Sequence, residues 1–123
     1  MEENKTKTSD YNNIKTIVIK TLRYYLRIPI EEIIYCQADG SYSEINLING
    51  EKIIVSKSLR VIEELLKDDN FVRCHNSFLV NIAKVEKFSS FSRTLSISGH
   101  IIPVSRRNCH KIRKELRGSK YQL

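Results

Sequence analysis

The side chains that most often perform chemistry in proteins are few in this chain and poorly spaced for catalysis. There are three histidines and three cysteines, and none has zinc-finger spacing; the neighbours Cys74 and His75 cannot easily chelate one ion. A nucleophilic serine needs a base that is held by a third group, and Ser77 beside His75 is the one local suggestion. Paired acids such as Glu63 and Glu64 fall on an expected helix surface. The residues therefore indicate no enzyme, no metal site, no cofactor and no small-molecule substrate.

Positive charge is unevenly distributed along the chain. There are 21 lysines and arginines against 14 acids, a formal net charge of +7. Residues 31–70 hold four cations and nine acids, whereas residues 105–123 hold seven cations and one acid. Such a cationic end attracts a polyanion, with nucleic acid as the leading candidate. A solvated cluster favoured by the dipole of a helix C-terminus is the plainer alternative, and charge alone leaves both open.

The length and composition set the broad class. At 123 residues, 41% hydrophobic and 28% charged, the chain has room for one domain with a real core. Its longest apolar runs are a handful of residues, where a bilayer crossing needs about 20. Residues 1–7 lack the apolar core of a signal peptide. We therefore expect a soluble, cytoplasmic protein whose cysteines are reduced and serve as small packing residues.

The first residues differ in character from the rest. Residues 1–13 are polar and without periodicity, so we expect a flexible lead followed by one folded domain over 14–123. Residues 16–20 are short and β-branched, and residues 23–28 form a second strand candidate that Pro29 stops.

Three dipeptides that tolerate a positive φ separate pairs of strand-like runs. Asn-Gly and Asp-Gly suit the type I′ hairpin turn, in which both central residues are left-handed. The pairs are 33–38 with 42–47 across Asp39-Gly40, 42–47 with 52–55 across Asn49-Gly50, and 94–97 with 101–104 across Ser98-Gly99.

Two helices are expected among the strands. Ser58 is a plausible N-cap for a helix over 59–67, whose apolar residues share one face. Ser105 is expected to cap a second helix that runs to Arg117 and stops at Gly118, with a narrow apolar stripe on an otherwise cationic surface. The pattern as a whole predicts a mainly β fold with two short helices.

One segment carries a specific resemblance. Residues 71–81 fill every fixed position of the pattern Phe-x-Arg-x-His-x-Ser-(x)3-Asn, and so resemble the signature of the LytTR family of bacterial DNA-binding domains. Three further stretches resemble the family in its own order, and together the four cover about residues 28–117. They are the first hairpin loop (38–43), the Ser-Lys-Ser-Leu stretch (56–60) and the closing strand-to-helix turn (103–108).

The resemblance implies an elongated fold of small, stacked antiparallel sheets with two short helices. It also implies a mode of DNA binding that is not helix-turn-helix. In this family, loops enter successive major grooves on one face of the duplex, and the DNA bends.

Site residues follow from the same resemblance, position by position. Asn76 and Arg107 match base-reading positions, and Tyr42 or Ser43 matches a third one in the first hairpin loop. Loop-borne Asn and Arg can pair bidentately with adenine and guanine, respectively. Other residues match or flank contacts to the DNA backbone, which fix register without reading sequence. These are Lys57, Arg73, Ser77, Arg106, Asn108 and Lys111.

Several of these residues have structural alternatives. Arg73 could pair internally with an acid, and Asn76 could cap a turn. His75 is expected to hydrogen-bond within its own loop rather than to contact DNA. Phe71 and Phe78 are expected to anchor the motif in the core.

The resemblance implies a transcriptional regulator that binds duplex DNA sequence-specifically. Family members commonly carry a phosphorylatable receiver domain, which the first 28 residues cannot hold, so we expect a stand-alone regulator. Its control would come from protein level, from a homodimer on direct repeats in a promoter, or from an inhibitory partner in the membrane.

Two other function classes remain open. A β-rich single-stranded nucleic-acid binder would use the same charge together with Tyr24, Tyr25 and Tyr42 as stacking platforms. An adaptor for an anionic membrane or a protein would use the basic helix over 105–117, but its apolar stripe is thin and lacks Trp and Phe.

Overall fold

The computed structural model describes residues 14–123, so the predicted flexible lead over 1–13 lies outside the described residues. The described part contains ten strands, two short helices and three single 3-10 turns. The strands are β1 (Thr16–Lys20), β2 (Tyr25–Pro29), β3 (Ile33–Asp39), β4 (Tyr42–Leu47), β5 (Lys52–Val55), β6 (Phe71–His75), β7 (Phe78–Asn81), β8 (Lys87–Ser89), β9 (Thr94–Ile97) and β10 (His100–Pro103). The helices are α1 (Leu59–Leu65) and α2 (Cys109–Arg117), and the 3-10 turns are Ile30–Glu32, Ile82–Lys84 and Arg106–Asn108.

The strands form three antiparallel sheets. The central sheet has five strands in the order β5-β4-β3-β7-β6, and it is flanked by a two-stranded sheet, β1-β2, and a three-stranded sheet, β10-β9-β8. This confirms the predicted mainly β fold of small antiparallel sheets with two short helices.

The central sheet separates two apolar cores. Side chains of successive residues in a strand point to opposite faces, so β3, β6 and β7 contribute to both. One core holds Ile33, Ile45 and Leu79 against β1, β2 and α1. The other holds Tyr35 and Val80 against β9, β10 and α2. The molecule is therefore a stack of three layers, with the central sheet in the middle.

The hairpin turns follow the prediction only in part. At Ser98-Gly99 both residues have positive φ (46° and 81°), as a type I′ turn requires. At Gly40 and Gly50 the glycine alone is left-handed (62° and 89°), and Asp39 pairs with Tyr42 as the last residue of β3. The dipeptides thus mark the hairpins correctly, but the first turn is centred on Gly40-Ser41, one residue later than predicted, so that glycine is its first residue rather than its second.

Several elements differ from the prediction; α1, for example, ends at Leu65 rather than at residue 67. Pro29 is the last residue of β2 and pairs with Thr16, whereas the sequence predicted that the strand would end before this proline. The proline is tolerated because each strand of a two-stranded sheet has an unpaired side, where a missing N–H does no harm. Strand β8 lacks a clear sequence pattern. The predicted cap at Ser105 is wrong, because its side chain makes no cap hydrogen bond and the 3-10 turn Arg106–Asn108 precedes α2.

Candidate nucleic-acid interface

The loops that carry the predicted site residues lie together at one end of the central sheet. Because the strands are antiparallel in the order β5-β4-β3-β7-β6, strands β5, β3 and β6 end where β4 and β7 begin. The segment 56–58, the turn 40–41 and the turn 76–77 therefore lie in a row. With strands about 4.8 Å apart, this row spans roughly 20 Å. We call residues 40–42, 56–58, 75–77 and 105–107 the loop end.

Hydrogen bonds tie neighbouring loops of the loop end together. The backbone N–H of Ala38 donates to the carbonyl of Ser77 (2.9 Å). On the other side, the Ser43 hydroxyl donates to the carbonyl of Lys57 (2.7 Å). These bonds link separate stretches of chain, so the loops have a defined relative position rather than moving independently.

The segment 105–107 joins the same end from the third layer. The N–H of Ser105 donates to the carbonyl of Cys74 (2.8 Å) beside the end of β6. A shallow groove of about 540 Å³ results, lined by His75, Asn76, Ser105, Arg106 and Arg107. Asn76 and Arg107, the two predicted base readers, are thus brought together on one exposed surface, although they are far apart in the sequence.

Arg73 shapes the 75–77 turn from behind. Its guanidinium donates to the carbonyls of His75 (3.1 Å) and Asn76 (2.8 Å) and to the carboxylate of Glu63 in α1 (2.6 Å). The side chain is largely buried. The internal pairing foreseen for Arg73 is confirmed, and its partner Glu63 is a site residue that sequence reasoning missed, since no spacing pattern connects an α1 acid to β6.

His75 closes the turn on its other side. Its Nδ1 accepts a hydrogen bond from the backbone N–H of Ser77 (3.0 Å), and its ring lies 5.8 Å from that of Phe78 in an edge-on arrangement. The expected role of His75 within its own loop is confirmed. With Arg73 and His75 holding the backbone, the Asn76 side chain is left exposed at the tip.

The structure corrects the prediction for Ser43. Its side chain is 0% exposed and donates to the Lys57 carbonyl, so it is part of the scaffold and cannot meet a base there. Its neighbour Tyr42 is 51% exposed and occupies the tip of the same hairpin. Alternation along β4 is the reason, because adjacent residues point to opposite sides.

Asn108 is also placed away from the surface. It is 9% exposed, and its side-chain amide donates to the Ser105 hydroxyl (2.7 Å), so it shapes the 105–108 turn rather than facing a phosphate. The remaining predicted backbone contacts differ in exposure. Ser77 is half-buried, whereas Lys57, Arg106 and Lys111 are exposed.

The cysteines behave as packing residues. All three are free and buried. Burial raises the pKa of Cys36 and of Cys74 to about 12. The Cys74 thiol lies directly behind the loop end, where it donates weakly to the carbonyl of Pro103 (3.6 Å). Over residues 14–123, no cluster of metal-binding side chains is found, and no helix is long and apolar enough to cross a membrane.

Comparison with known proteins identifies the class. The LytTr DNA-binding domain family matches residues 23–117, about three quarters of the chain, and the protein belongs to this family. It is therefore a DNA-binding domain of the kind used in transcription regulation.

Individual relatives agree with this assignment. The chain is 30% identical to the sensory transduction protein LytT of Bacillus subtilis over 93 residues, and 27% identical to an uncharacterized response regulatory protein of Vibrio cholerae over 120 residues. These matches cover 72% and 89% of this chain but 38% and 48% of the relatives, so the chain spans less than half of their length. A solved LytTr DNA-binding domain from a Bacillus cereus protein superposes with a TM-score of 0.69 at 28% identity, covering 82% of this chain and 95% of that one.

Proposed function

We propose that this protein is a transcriptional regulator that binds duplex DNA sequence-specifically through the loop end. Asn76 and Arg107 read base edges in the major groove, and Tyr42 supplies a third contact. The observation that carries the proposal is the shared groove, in which an amide and a guanidinium from separate elements are exposed side by side. These are the two side chains best suited to pair bidentately with adenine and with guanine.

The dimensions of the loop end support bent DNA. A row of roughly 20 Å, set by the strand spacing, is shorter than the repeat of about 34 Å that separates successive major grooves. Loops at both ends of the row therefore reach successive grooves only where the duplex curves toward the protein. Such bending costs on the order of 1 to 6 kcal/mol and depends on sequence.

Exposed cations beside these loops supply the non-specific attraction. Lys57, Arg106 and Lys111 are exposed and lie in or next to the loop end. Contacts from such side chains to phosphates fix the register of the protein on the duplex without reading its sequence.

The decisive experiment compares base readers with a phosphate contact. Bound duplexes are first selected from a random pool, and affinities are then measured by fluorescence anisotropy on the selected site and on single-base variants. Asn76→Ala and Arg107→Ala should each lose about 1 to 3 kcal/mol and relax the preference at one base pair. Lys111→Ala should weaken all sequences alike.

Two results would count against the proposal. The first is the absence of an enriched motif, or unchanged base preference in Asn76→Ala and Arg107→Ala. The second is tighter binding to single strands than to any duplex. That result would favour the alternative function, a single-stranded nucleic-acid binder that stacks bases on its exposed tyrosines.

The biological setting follows from DNA binding. We propose that the protein acts in the cytoplasm and that its activity is set by protein level, by homodimer formation on direct repeats, or by an inhibitory partner in the membrane. Probes with one and with two copies of the selected site test the dimer, because two copies should bind with a cooperative isotherm.

A further inference from the structure

The turn that joins β1 to β2 lies at the same end of the molecule as the proposed DNA-reading loops. At one end of β1, the Lys15 ammonium is 3.1 Å from the carboxylate of Asp69, just past α1. At the other end, Lys20 lines a groove together with Ser56 and Lys57. β1 therefore runs along α1 toward its N-terminus, and residues 21–24 lie beside Lys57 at the loop end.

This turn belongs to a different layer from the Arg107 segment. The β1-β2 sheet packs on the α1 side of the central sheet, whereas residues 105–107 approach from the α2 side. With layers about 10 Å apart, the turn extends the loop end by roughly that distance away from Arg107.

The β1–β2 hairpin is rich in positive charge and contains no acid. Residues 14–30 include Lys15, Lys20, Arg23 and Arg27 and no Asp or Glu. Lys15 pairs with Asp69, and Arg27 donates to the Thr16 hydroxyl (3.0 Å). Among the residues that the structure describes, Lys20 and Arg23 have no ion-pair partner.

The turn also exposes apolar surface that the fold does not need. Leu22 is 100% exposed, and Tyr24 and Tyr25 are mostly exposed. The turn is nevertheless ordered by its own bonds, because the Thr21 hydroxyl both donates to the carbonyl of Tyr24 (2.8 Å) and accepts from its N–H (3.0 Å). A defined turn with two cations that have no ion-pair partner within residues 14–123, placed around an exposed leucine, fits a surface that alternates phosphates with apolar sugars.

We propose that the β1–β2 turn is an additional DNA contact, resting on the function proposed above. Lys20 and Arg23 bind phosphates that flank the recognised bases on the Tyr42 side, and Leu22 packs against the sugar edge of the adjacent minor groove. The proposal commits to duplex DNA because the turn continues the loop end and carries the matching charge. It lengthens the bound site without adding base readout.

The test measures affinity as a function of duplex length and salt. The double variant Lys20→Ala/Arg23→Ala is compared with wild type on the selected site, once with about ten flanking base pairs on each side and once trimmed to the core. On the long duplex the variant should lose on the order of tenfold in affinity, and the magnitude of its salt slope should fall by about 1.8, or 0.9 for each phosphate contact. On the trimmed duplex the two proteins should bind alike. Base preference should stay unchanged throughout.

A matched control removes the same charge at the opposite end of the sheets. Lys52 and Lys87 begin β5 and β8 and are exposed, so Lys52→Ala/Lys87→Ala should keep the wild-type dependence on duplex length and nearly the wild-type salt slope. Thermal unfolding confirms that both double variants are folded. Leu22→Ser should weaken binding to the long duplex severalfold and leave binding to the trimmed duplex unchanged.

The outcomes separate this proposal from the proposed function. If wild type binds its site specifically but Lys20→Ala/Arg23→Ala retains the full salt slope on the long duplex, the turn does not contact DNA. If sedimentation instead shows that Leu22→Ser dissociates a dimer while the salt slope is retained, the turn is a protein interface and the proposal is overturned. If the wild-type protein shows no preference among duplex sequences, the proposed function itself is overturned.

Discussion

At the scale of single residues, Arg73 braces the turn that carries Asn76. Its guanidinium donates to two carbonyls of the 75–77 turn and to Glu63, so it positions Asn76 from inside the protein. If Arg73 acts as an internal brace, substitution of its partner Glu63 should also weaken DNA binding. If Arg73 instead contacts a phosphate, substitution of Glu63 should have no such effect.

We expect Glu63→Gln and Arg73→Lys to weaken specific DNA binding similarly, because each substitution disturbs the hydrogen bonds that fix the 75–77 turn. A double-mutant cycle of unfolding free energies, with Glu63→Gln, Arg73→Lys and their combination, should give a coupling of about 1 kcal/mol. The exposed neighbour Glu64→Gln serves as the control in α1. A salt slope smaller by about 0.9 in Arg73→Ala but not in Glu63→Gln would instead indicate a direct phosphate contact.

At the scale of elements, α2 holds the Arg106–Asn108 turn in place. Ile112 is fully buried in the second core, and the turn that carries Arg107 continues directly into this helix. The position of Arg107 therefore depends on the packing of α2 into the second core, as well as on the hydrogen bond from the Ser105 N–H to the Cys74 carbonyl.

Ile112→Ala should lower the free energy of unfolding by about 2 to 5 kcal/mol, through lost apolar contact and the cavity left behind. Urea denaturation measures this directly. Glu115→Ala, an exposed change in the same helix, should shift the free energy by less than about 0.5 kcal/mol. An Ile112→Ala protein as stable as wild type would show that α2 is not docked as the structure has it.

At the scale of the whole molecule, two buried thiols link global stability to alkaline pH. Burial raises the pKa of Cys36 and Cys74 to about 12 in the folded state, against an ordinary value of 9.0. Between these values the unfolded chain releases protons that the folded chain retains. Stability is therefore fully present below about pH 9 and declines as the pH rises toward 12.

The alkaline decline should be shallower without these thiols. Each contributes a slope of at most about 1.4 kcal/mol per pH unit, so Cys36→Ala/Cys74→Ala should flatten the dependence of unfolding free energy on pH between 9 and 11. Slopes are compared rather than absolute stabilities, since the substitutions also remove packing. Cys109→Ala serves as the control for removal of a single thiol. If the double variant and wild type show the same slope of unfolding free energy against pH, the raised pKa of Cys36 and Cys74 is contradicted.

Local patterns in the sequence determined much of this protein. Turn dipeptides located the hairpins at Gly40, Gly50 and Gly99, apolar spacing located both helices, and the 71–81 motif identified the family. These features depend on backbone preferences and side-chain periodicity within a few residues, which are written directly in the chain.

Tertiary structure alone decided which side chains face outward and which loops meet. Tyr42 and Ser43 are equivalent candidates in the sequence, and only the packing of β4 buries one and exposes the other. Likewise, strand order and the bond between Ser105 and Cys74 bring Arg107 to Asn76, and α1 supplies Glu63 to Arg73. Contacts between residues distant in sequence arise from how the layers stack, and no local pattern encodes that arrangement.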